Sequence, residues 1–354
     1  MSFRYANRWI AGVRCARRQA FQMFMAAVLL MVMTAFACLP VDWASALGGY
    51  IGRMIGPLLG VSRRALRNLR RYMPENSDCE NERILRGMWE NLGRAAAEQS
   101  HLARICDATS GRVEIVNGAA IADLAVGGGP AILFSGHFAN WEVGPSTIHG
   151  MMGSSLLSIY RAANNPWVDR LLRRRLRSRR AIAKGAAGGR ELVRHLSRGG
   201  HVAMLVDQKQ NDGIAVPFFG RDAMTAPAIA RLGLRFGCPL VPIVVERLIG
   251  ARFRFTVMPA IKVVDSGNVA VDVLATMKRV NALIEAWIRA RPEQWLWLHR
   301  RWPERRASPG LPWVRSSGRE RSAPLNETLR PLPLNGGAVA EPTPAPQRID
   351  YDHG

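Results

Sequence analysis

Acidic side chains are scarce in this chain: 27 Asp and Glu stand against 49 Lys and Arg, a net charge of +22 over 354 residues. A balance this basic calls for a polyanionic neighbour, whether nucleic acid, an anionic membrane face or a phosphorylated substrate. Cysteine is also sparse. The five, at positions 15, 38, 79, 106 and 238, are odd in number and include no C-x-x-C pair. A disulfide framework and a thiolate zinc site are therefore not expected; reduced, mostly buried thiols in a cytosol-facing domain are. There is no H-E-x-x-H, so a zinc-peptidase reading has little support. No internal repeat is visible. No nucleic-acid-binding motif accompanies the basic runs, and aromatics are not interleaved with them.

What is present begins with a charge-free run. Residues 20–41, AFQMFMAAVLLMVMTAFACLPV, hold no ionisable acid or base. About 20 such residues, at a helical rise of ~1.5 Å each, span the ~30 Å hydrocarbon core. Arg4, Arg8, Arg14, Arg17 and Arg18 precede the run and Asp42 is the first charge after it, which places the N-terminus in the cytoplasm. Ala35-Phe36-Ala37 resembles a signal-peptidase site, but the run is longer than a typical signal core. An uncleaved anchor is the preferred reading, with an interfacial helix or membrane-embedded hairpin as the alternative. Leu47–Val61 is also apolar, though it carries Arg53 and several Gly.

Further on, residues 62–105 read as helical, broken at Pro74. Strand-like runs fall at 131–135, 154–160, 201–206, 240–245 and 252–258. Helices are expected from Asn165-Pro166, at 191–196, 227–236 and 277–290. Alternating strands and helices predict an α/β fold, with a mixed, largely parallel sheet flanked by helices behind an N-terminal membrane-anchoring helix. Ligands of such sheets sit beyond the carboxyl ends of the strands. Gly136-His137 and Asp207-Gln208-Lys209 fall at two such ends. Residues 304–354 hold eight prolines and no periodicity, the composition of a disordered tail.

The candidate chemistry centres on Ser135-Gly-His-Phe-Ala-Asn-Trp-Glu142. With a turn at Gly136 and a helix starting near Asn140, Glu142 falls in the first helical turn and could reach back to His137. A carboxylate on one ring nitrogen raises the basicity of the other, giving a general base for a hydroxyl. A lone His at a strand end is more often a plain loop residue, so the pair by itself is nonspecific.

The surroundings add specificity. Ser135–Gly144 resembles the H-x4-D/E block of the glycerolipid and lysophospholipid acyltransferase superfamily, and more closely that of the late lipid A biosynthesis acyltransferases. Tyr160–Pro166, Val206-Asp-Gln-Lys209 with Val216–Gly220 and Thr225-Ala-Pro227, Val241-Pro-Ile243 and Glu293–Trp302 resemble the later blocks in order. Together they cover roughly residues 20–303, so the expected organisation is a basic flank (1–19), an anchor (20–41), an acyltransferase domain (45–303) and a tail (304–354). The resemblance implies an O-acyltransferase with His137 as base and Glu142 orienting it. Arg161, Asn164, Asn165, Asp207, Gln208 and Lys209 would bind substrate, with no metal and no cofactor. Asp-Gln-Lys stands where glycerophospholipid members carry a Glu-Gly-Thr-Arg type of block, which favours the lipid A-like branch. The implied partners are acyl carrier protein as donor, a lipid A precursor or related glycolipid as acceptor, and an anionic membrane surface, but no nucleic acid. The implied location is the bacterial inner membrane at its cytoplasmic face.

Two alternatives stay open: a relative acting on another glycolipid or phospholipid, and a non-catalytic, membrane-tethered binder of anionic partners. Seven Arg between 170 and 180, with Leu171, Leu172 and Leu176, form an amphipathic basic segment suited to lipid surfaces or acidic proteins. Trp295, Trp297 and Trp302 with Arg300 and Arg301 fit either an interfacial belt or a core with capping arginines. His149, His195 and His201 read as structural or surface residues.

Overall fold

The computed structural model describes residues 2–302 apart from 128, 176–179 and 264, and, for the side chains, apart from 2–13 and 174–175 as well. The expected tail at 304–354 and much of the arginine run therefore lie outside the described residues.

Helix α1 (Ser2–Ala37) leads through Pro40 into α2 (Val41–Ile55), α3 (Ser62–Tyr72), α4 (Asp78–Glu98) and the short α5 (Leu102–Ile105). The charge-free run thus lies in α1 as far as Ala37 and ends at Val41, the first residue of α2. Ser77 caps α4, its hydroxyl accepting from the Glu80 N–H at 3.2 Å, in the Ser-x-x-Glu pattern that starts helices. The α/β part follows: β1 (Val113–Val116), α6 (Ala119–Val126), β2 (Ile132–Ser135), α7 (Val143–Met152), β3 (Leu156–Tyr160), α8 (Pro166–Arg175), β4 (Ala181–Ala183), α9 (Ala186–Ser197) and β5 (His201–Leu205). Next come a hairpin, β6 (Lys209–Phe218) and β7 (Arg221–Thr225), then α10 (Ala228–Phe236), β8 (Leu240–Arg247), β9 (Phe253–Val257) and α11 (Val269–Ala290).

The main sheet has seven strands in the order β1-β9-β8-β2-β5-β3-β4. Every neighbouring pair is parallel except β8 and β9. The central strands are buried on both faces, as covered parallel sheets require. Along β2, Ile132 and Phe134 enter one apolar cluster with residues of α4, α9 and α11, while Leu133 enters the other with residues of α5 and α7. Period-two alternation sends successive side chains to opposite layers.

Helices α2 and α4 cross at nearly bare backbone. A Cβ on Gly52 would run into the Trp89 carbonyl, and one on Gly93 into the Gly48 carbonyl. The three tryptophans at 295, 297 and 302 are buried, and Arg301 is wholly so; of the two readings open for this segment, the core holds. The thiols depart from expectation: Cys15, Cys38 and Cys79 are exposed and only Cys238 is buried, because the first and third sit on outward helix surfaces and Cys38 in the turn after α1.

Filling the bare crossing tests this packing. Gly52→Val is expected to cost about 1–3 kcal/mol, the usual range for an overpacked contact. The check is the thermal midpoint of the detergent-solubilised protein, with Gly60→Ala, where a Cβ meets open space, left near wild type.

Candidate active site

Strands β2 and β5 are paired in register, Ser135 opposite Leu205. Two residues past each, the chain delivers His137 and Asp207 side by side. His137 Nδ1 lies 2.7 Å from Asp207 Oδ1, and the His137 backbone N–H donates to Oδ2 at 2.8 Å. A third donor, Trp295 Nε1–H, reaches Oδ2 at 2.8 Å. Asp207 is fully buried. Burial alone would favour its protonated form, but the charge of His137, these hydrogen bonds and the charge of His299 outweigh that and hold the carboxyl well below the usual range.

The carboxylate on Nδ1 is therefore Asp207, and not Glu142, the residue expected to orient His137. The local reason is that Glu142 precedes α7 rather than sitting within its first turn, with its N–H turned to Asn140 Oδ1 at 3.3 Å. Glu142 still acts on His137 by charge. Burial opposes the imidazolium, but the charge and hydrogen bond of Asp207, with the charge of Glu142, raise the His137 pKa above its ordinary value.

At the other end of the ring, the Gln208 amide nitrogen lies 3.0 Å from His137 Nε2. With Nδ1–H given to Asp207 and Nε2 accepting from Gln208, the imidazole is held as the Nδ1–H tautomer, its Nε2 lone pair engaged by the Gln208 amide. Trp141 and His299 flank the ring at centroid distances of 5.3 and 5.2 Å. Burial, partly offset by Asp207 and reinforced by His137, Arg301 and Arg161, pushes His299 down to about 4. Of the two neighbouring imidazoles, only His137 is thus disposed to take a proton near neutrality.

The loop after His137 is clamped from several sides. Ala139 adopts φ +46, the left-handed region costly for a residue with a Cβ, about 1–3 kcal/mol. Its N–H donates to the Gln294 carbonyl at 2.9 Å and its carbonyl accepts from Asn91 Nδ2 at 3.0 Å. Asn140 donates to buried Glu98 at 2.9 Å, and Glu98 is paired in turn with Arg247.

His137, Trp141, Glu142, Arg161, Gln208 and Lys209 all line one cavity of about 1100 Å³. Part of its wall is apolar, with Ile182, Leu192, Val193, Ile229 and Leu232. Of the expected substrate-binding residues, Arg161, Gln208 and Lys209 reach it, whereas Asp207 lies behind His137. Asn164 is exposed on the adjoining loop. Asn165 caps α8, its Oδ1 accepting from the Trp167 N–H at 3.0 Å, and its Nδ2 donates to the Gln22 carbonyl of α1 at 2.8 Å. Sequence reasoning read Trp295 only as an interfacial or core aromatic and gave His299 no role; their place in the Glu293–Trp302 block was the one signal that tied them to the site. Among the described residues no group of three or more His, Cys, Asp or Glu is placed to hold a metal.

This arrangement can take a proton from a hydroxyl at Nε2, beside an apolar cavity and two cationic side chains. Compared with known families, the model describing bacterial lipid A biosynthesis acyltransferases matches residues 15–304. A comparison with curated proteins finds no match.

Removing the Asp207 charge while keeping its shape separates it from Glu142. Asp207→Asn is expected to lower kcat by about 10²–10⁴, as loss of tautomer control does elsewhere. His137 works as a base only when unprotonated, so wild-type kcat/KM should fall as pH drops through a value above the ordinary 6.5. Without the neighbouring negative charge the imidazolium is less favoured, and the acidic limb moves to lower pH. Glu142→Gln should move the limb the same way by less. If Glu142→Gln costs more activity than Asp207→Asn, Asp207 is not the orienting carboxylate.

Proposed function

The chain belongs to the bacterial lipid A biosynthesis acyltransferase family and is an acyltransferase; from that premise we propose that it carries a fatty-acyl chain from an acyl carrier protein thioester to a hydroxyl of a lipid A precursor, with His137 as general base. The observation that carries this reading is the His137–Asp207 pair beside a cavity of about 1100 Å³ whose wall is partly apolar. That volume lies just above the usual range of ligand sites, about 300–1,000 Å³.

The acceptor hydroxyl displaces Gln208 from His137 Nε2 and gives up its proton there as its oxygen attacks the thioester carbonyl. The imidazolium is stabilised by Asp207, which keeps its negative charge throughout. The tetrahedral oxyanion is stabilised by the cationic side chains of Arg161 and Lys209 at the cavity wall. The intermediate collapses, the C–S bond breaks, and the departing thiolate takes the proton back from Nε2. Acyl oxygen ester and free thiol result, and His137 returns to its starting tautomer. No acyl-enzyme is needed, because the attacking oxygen belongs to the acceptor.

Arg161 and Lys209 also suit the phosphates of such an acceptor. Arg170 and Arg173 of α8 are exposed, and with the net charge of +22 they favour an acidic carrier protein and an anionic membrane. The basic flank before the apolar run supports a cytoplasmic N-terminus at the inner membrane.

The test is transfer in vitro, with acyl-carrier-protein thioester and the Kdo-bearing tetraacyl lipid A precursor as substrates and products read by mass. The wild type should add the mass of one acyl chain. Folded His137→Ala should lose about 10²–10⁴ of the rate, the contribution of a positioned base. Full transfer by His137→Ala would sink the base assignment. Wild-type transfer to total membrane lipids but not to this precursor would sink the acceptor and keep the reaction class.

A further inference from the structure

Helix α2 is mounted inside out for a surface helix. Trp43, Leu47, Tyr50, Ile51, Met54 and Ile55 recur every three or four residues and share one face. All are exposed, from 42% at Ile51 to 73% at Trp43, and Leu58 just beyond is 83% exposed. The opposite face, Gly48, Gly49 and Gly52, is the one that packs, against α4. Soluble helices bury the large side chains and expose the small and polar ones. A continuous apolar face of this kind marks a contact surface.

Helix α1 shows what covers it. Among the described residues it is the one helix long and apolar enough to cross a membrane, over Arg14–Ala37. Gln22, Ala26, Leu29, Met33 and Phe36 form a half-buried to buried stripe facing the domain, while Phe21, Phe24, Leu30 and Met31 on the other sides are exposed. The stripe is tied down: Asn165 donates to the Gln22 carbonyl at 2.8 Å, Ser100 to the Met33 carbonyl at 2.8 Å, and His101 to the Phe36 carbonyl at 2.9 Å. From Gln22 to Phe36, at ~1.5 Å per residue, roughly 21 Å of helix leans on the domain, out of a hydrocarbon thickness of ~30 Å. Lipid cannot ring α1 along that length, so α1 enters the apolar layer slanted against the domain and not as a lone perpendicular span. Only three residues, Cys38 to Pro40, separate α1 from α2, so one medium has to cover both outer faces. After α2, helix α3 exposes Arg63, Arg67, Arg70 and Arg71, a strip of positive charge suited to anionic headgroups.

We propose that α2 is a second membrane element, its Trp43–Leu58 face sunk in the acyl region of an anionic bilayer beside α1, so that the domain is embedded in one leaflet. Interfacial helices bury such a face ~5–10 Å deep, and Trp43 and Tyr50 are of the type that prefers this boundary. The cavity then lies close to lipid. Ser100, which holds α1, and Leu172 of α8, the helix whose cap holds α1, both line it. A lipid acceptor reaches His137 without passing through water. The proposal concerns the membrane face alone and stands whichever lipid is acylated.

The test uses the full chain with its exposed Cys15, Cys38 and Cys79 changed to Ser, an environment-sensitive NBD dye on Tyr50→Cys or Met54→Cys, and Asp222→Cys on the β6–β7 hairpin as control. Proteins are reconstituted in vesicles of phosphatidylethanolamine and phosphatidylglycerol, with or without nitroxide-bearing acyl chains. Blue-shifted emission that acyl nitroxides quench at positions 50 and 54, and not at 222, is the expected result. Aqueous-like, unquenched emission at 50 and 54 overturns the proposal. So does a blue shift that grows with protein concentration in detergent and ignores the nitroxides, which would mean that a second copy of the chain covers this face.

Discussion

The carboxylate of Asp207 is the point on which the site depends. It is buried, charged, and satisfied by three donors from two parts of the chain: the His137 ring, the His137 backbone and the Trp295 indole. An unpaired charge at that depth costs several kcal/mol, so each donor must be delivered accurately. The sheet supplies two of them through the in-register pairing of β2 with β5. The third comes from the far end of the domain, where Trp295 packs edge-to-face on Trp297 at 4.9 Å. The same carboxylate that anchors these segments fixes the proton on His137 Nδ1. The packing of these segments and the tautomer of His137 thus draw on one interaction.

Those supports reach outward from the C-terminal segment. Gln294 accepts the Ala139 N–H through its carbonyl, and its side chain bonds both the N–H and the carbonyl of Arg247. Arg301, wholly buried, donates to the Met224 carbonyl at 2.8 Å, to Thr225 at 2.9 Å and to Asn281 at 3.1 Å, and sits over the Phe218 ring. Burial still pushes it down to about 10. A buried guanidinium is retained where its fork holds several partners in one geometry, and here it joins the β6–β7 hairpin to α11 and to the segment carrying Trp295.

Much of this was legible in the sequence, and the part that was not has a common cause. Periodicity placed α3 and α4, apolar runs placed β2, β5 and β8, and the Asn165-Pro166 cap placed the start of α8, because those signals are local. His137 stood out through its strand end and the ordered blocks. The carboxylate on its Nδ1 was not the expected one, because proximity in sequence favoured Glu142, five residues on, whereas strand register brought in Asp207, 70 residues on. Parallel pairing leaves no turn signal that announces its register. The β6–β7 hairpin was hidden for a related reason: its strands join through Phe219-Gly220, with Phe219 at φ +53, a turn that no Asn-Gly or Asp-Gly pair advertises. The Trp and Arg of the last block could not be sorted into core or interface by composition, since both settings favour the same residue types.

The glycines of α2 complete the picture from the opposite direction. They read as weaknesses in an apolar run, yet they let α2 and α4 approach at backbone contact and turn every large side chain of α2 away from the domain. Close approach through small residues is the habit of helices in lipid, where packing rather than water exclusion holds them together. Helix α4 carries both ends of this logic. Gly93 meets α2, while Asn91 and Glu98, a half-turn to a turn and a half away, hold the loop of His137. A single helix therefore connects the outward apolar face to the loop of His137, fixing how far that imidazole stands from whatever medium the face meets.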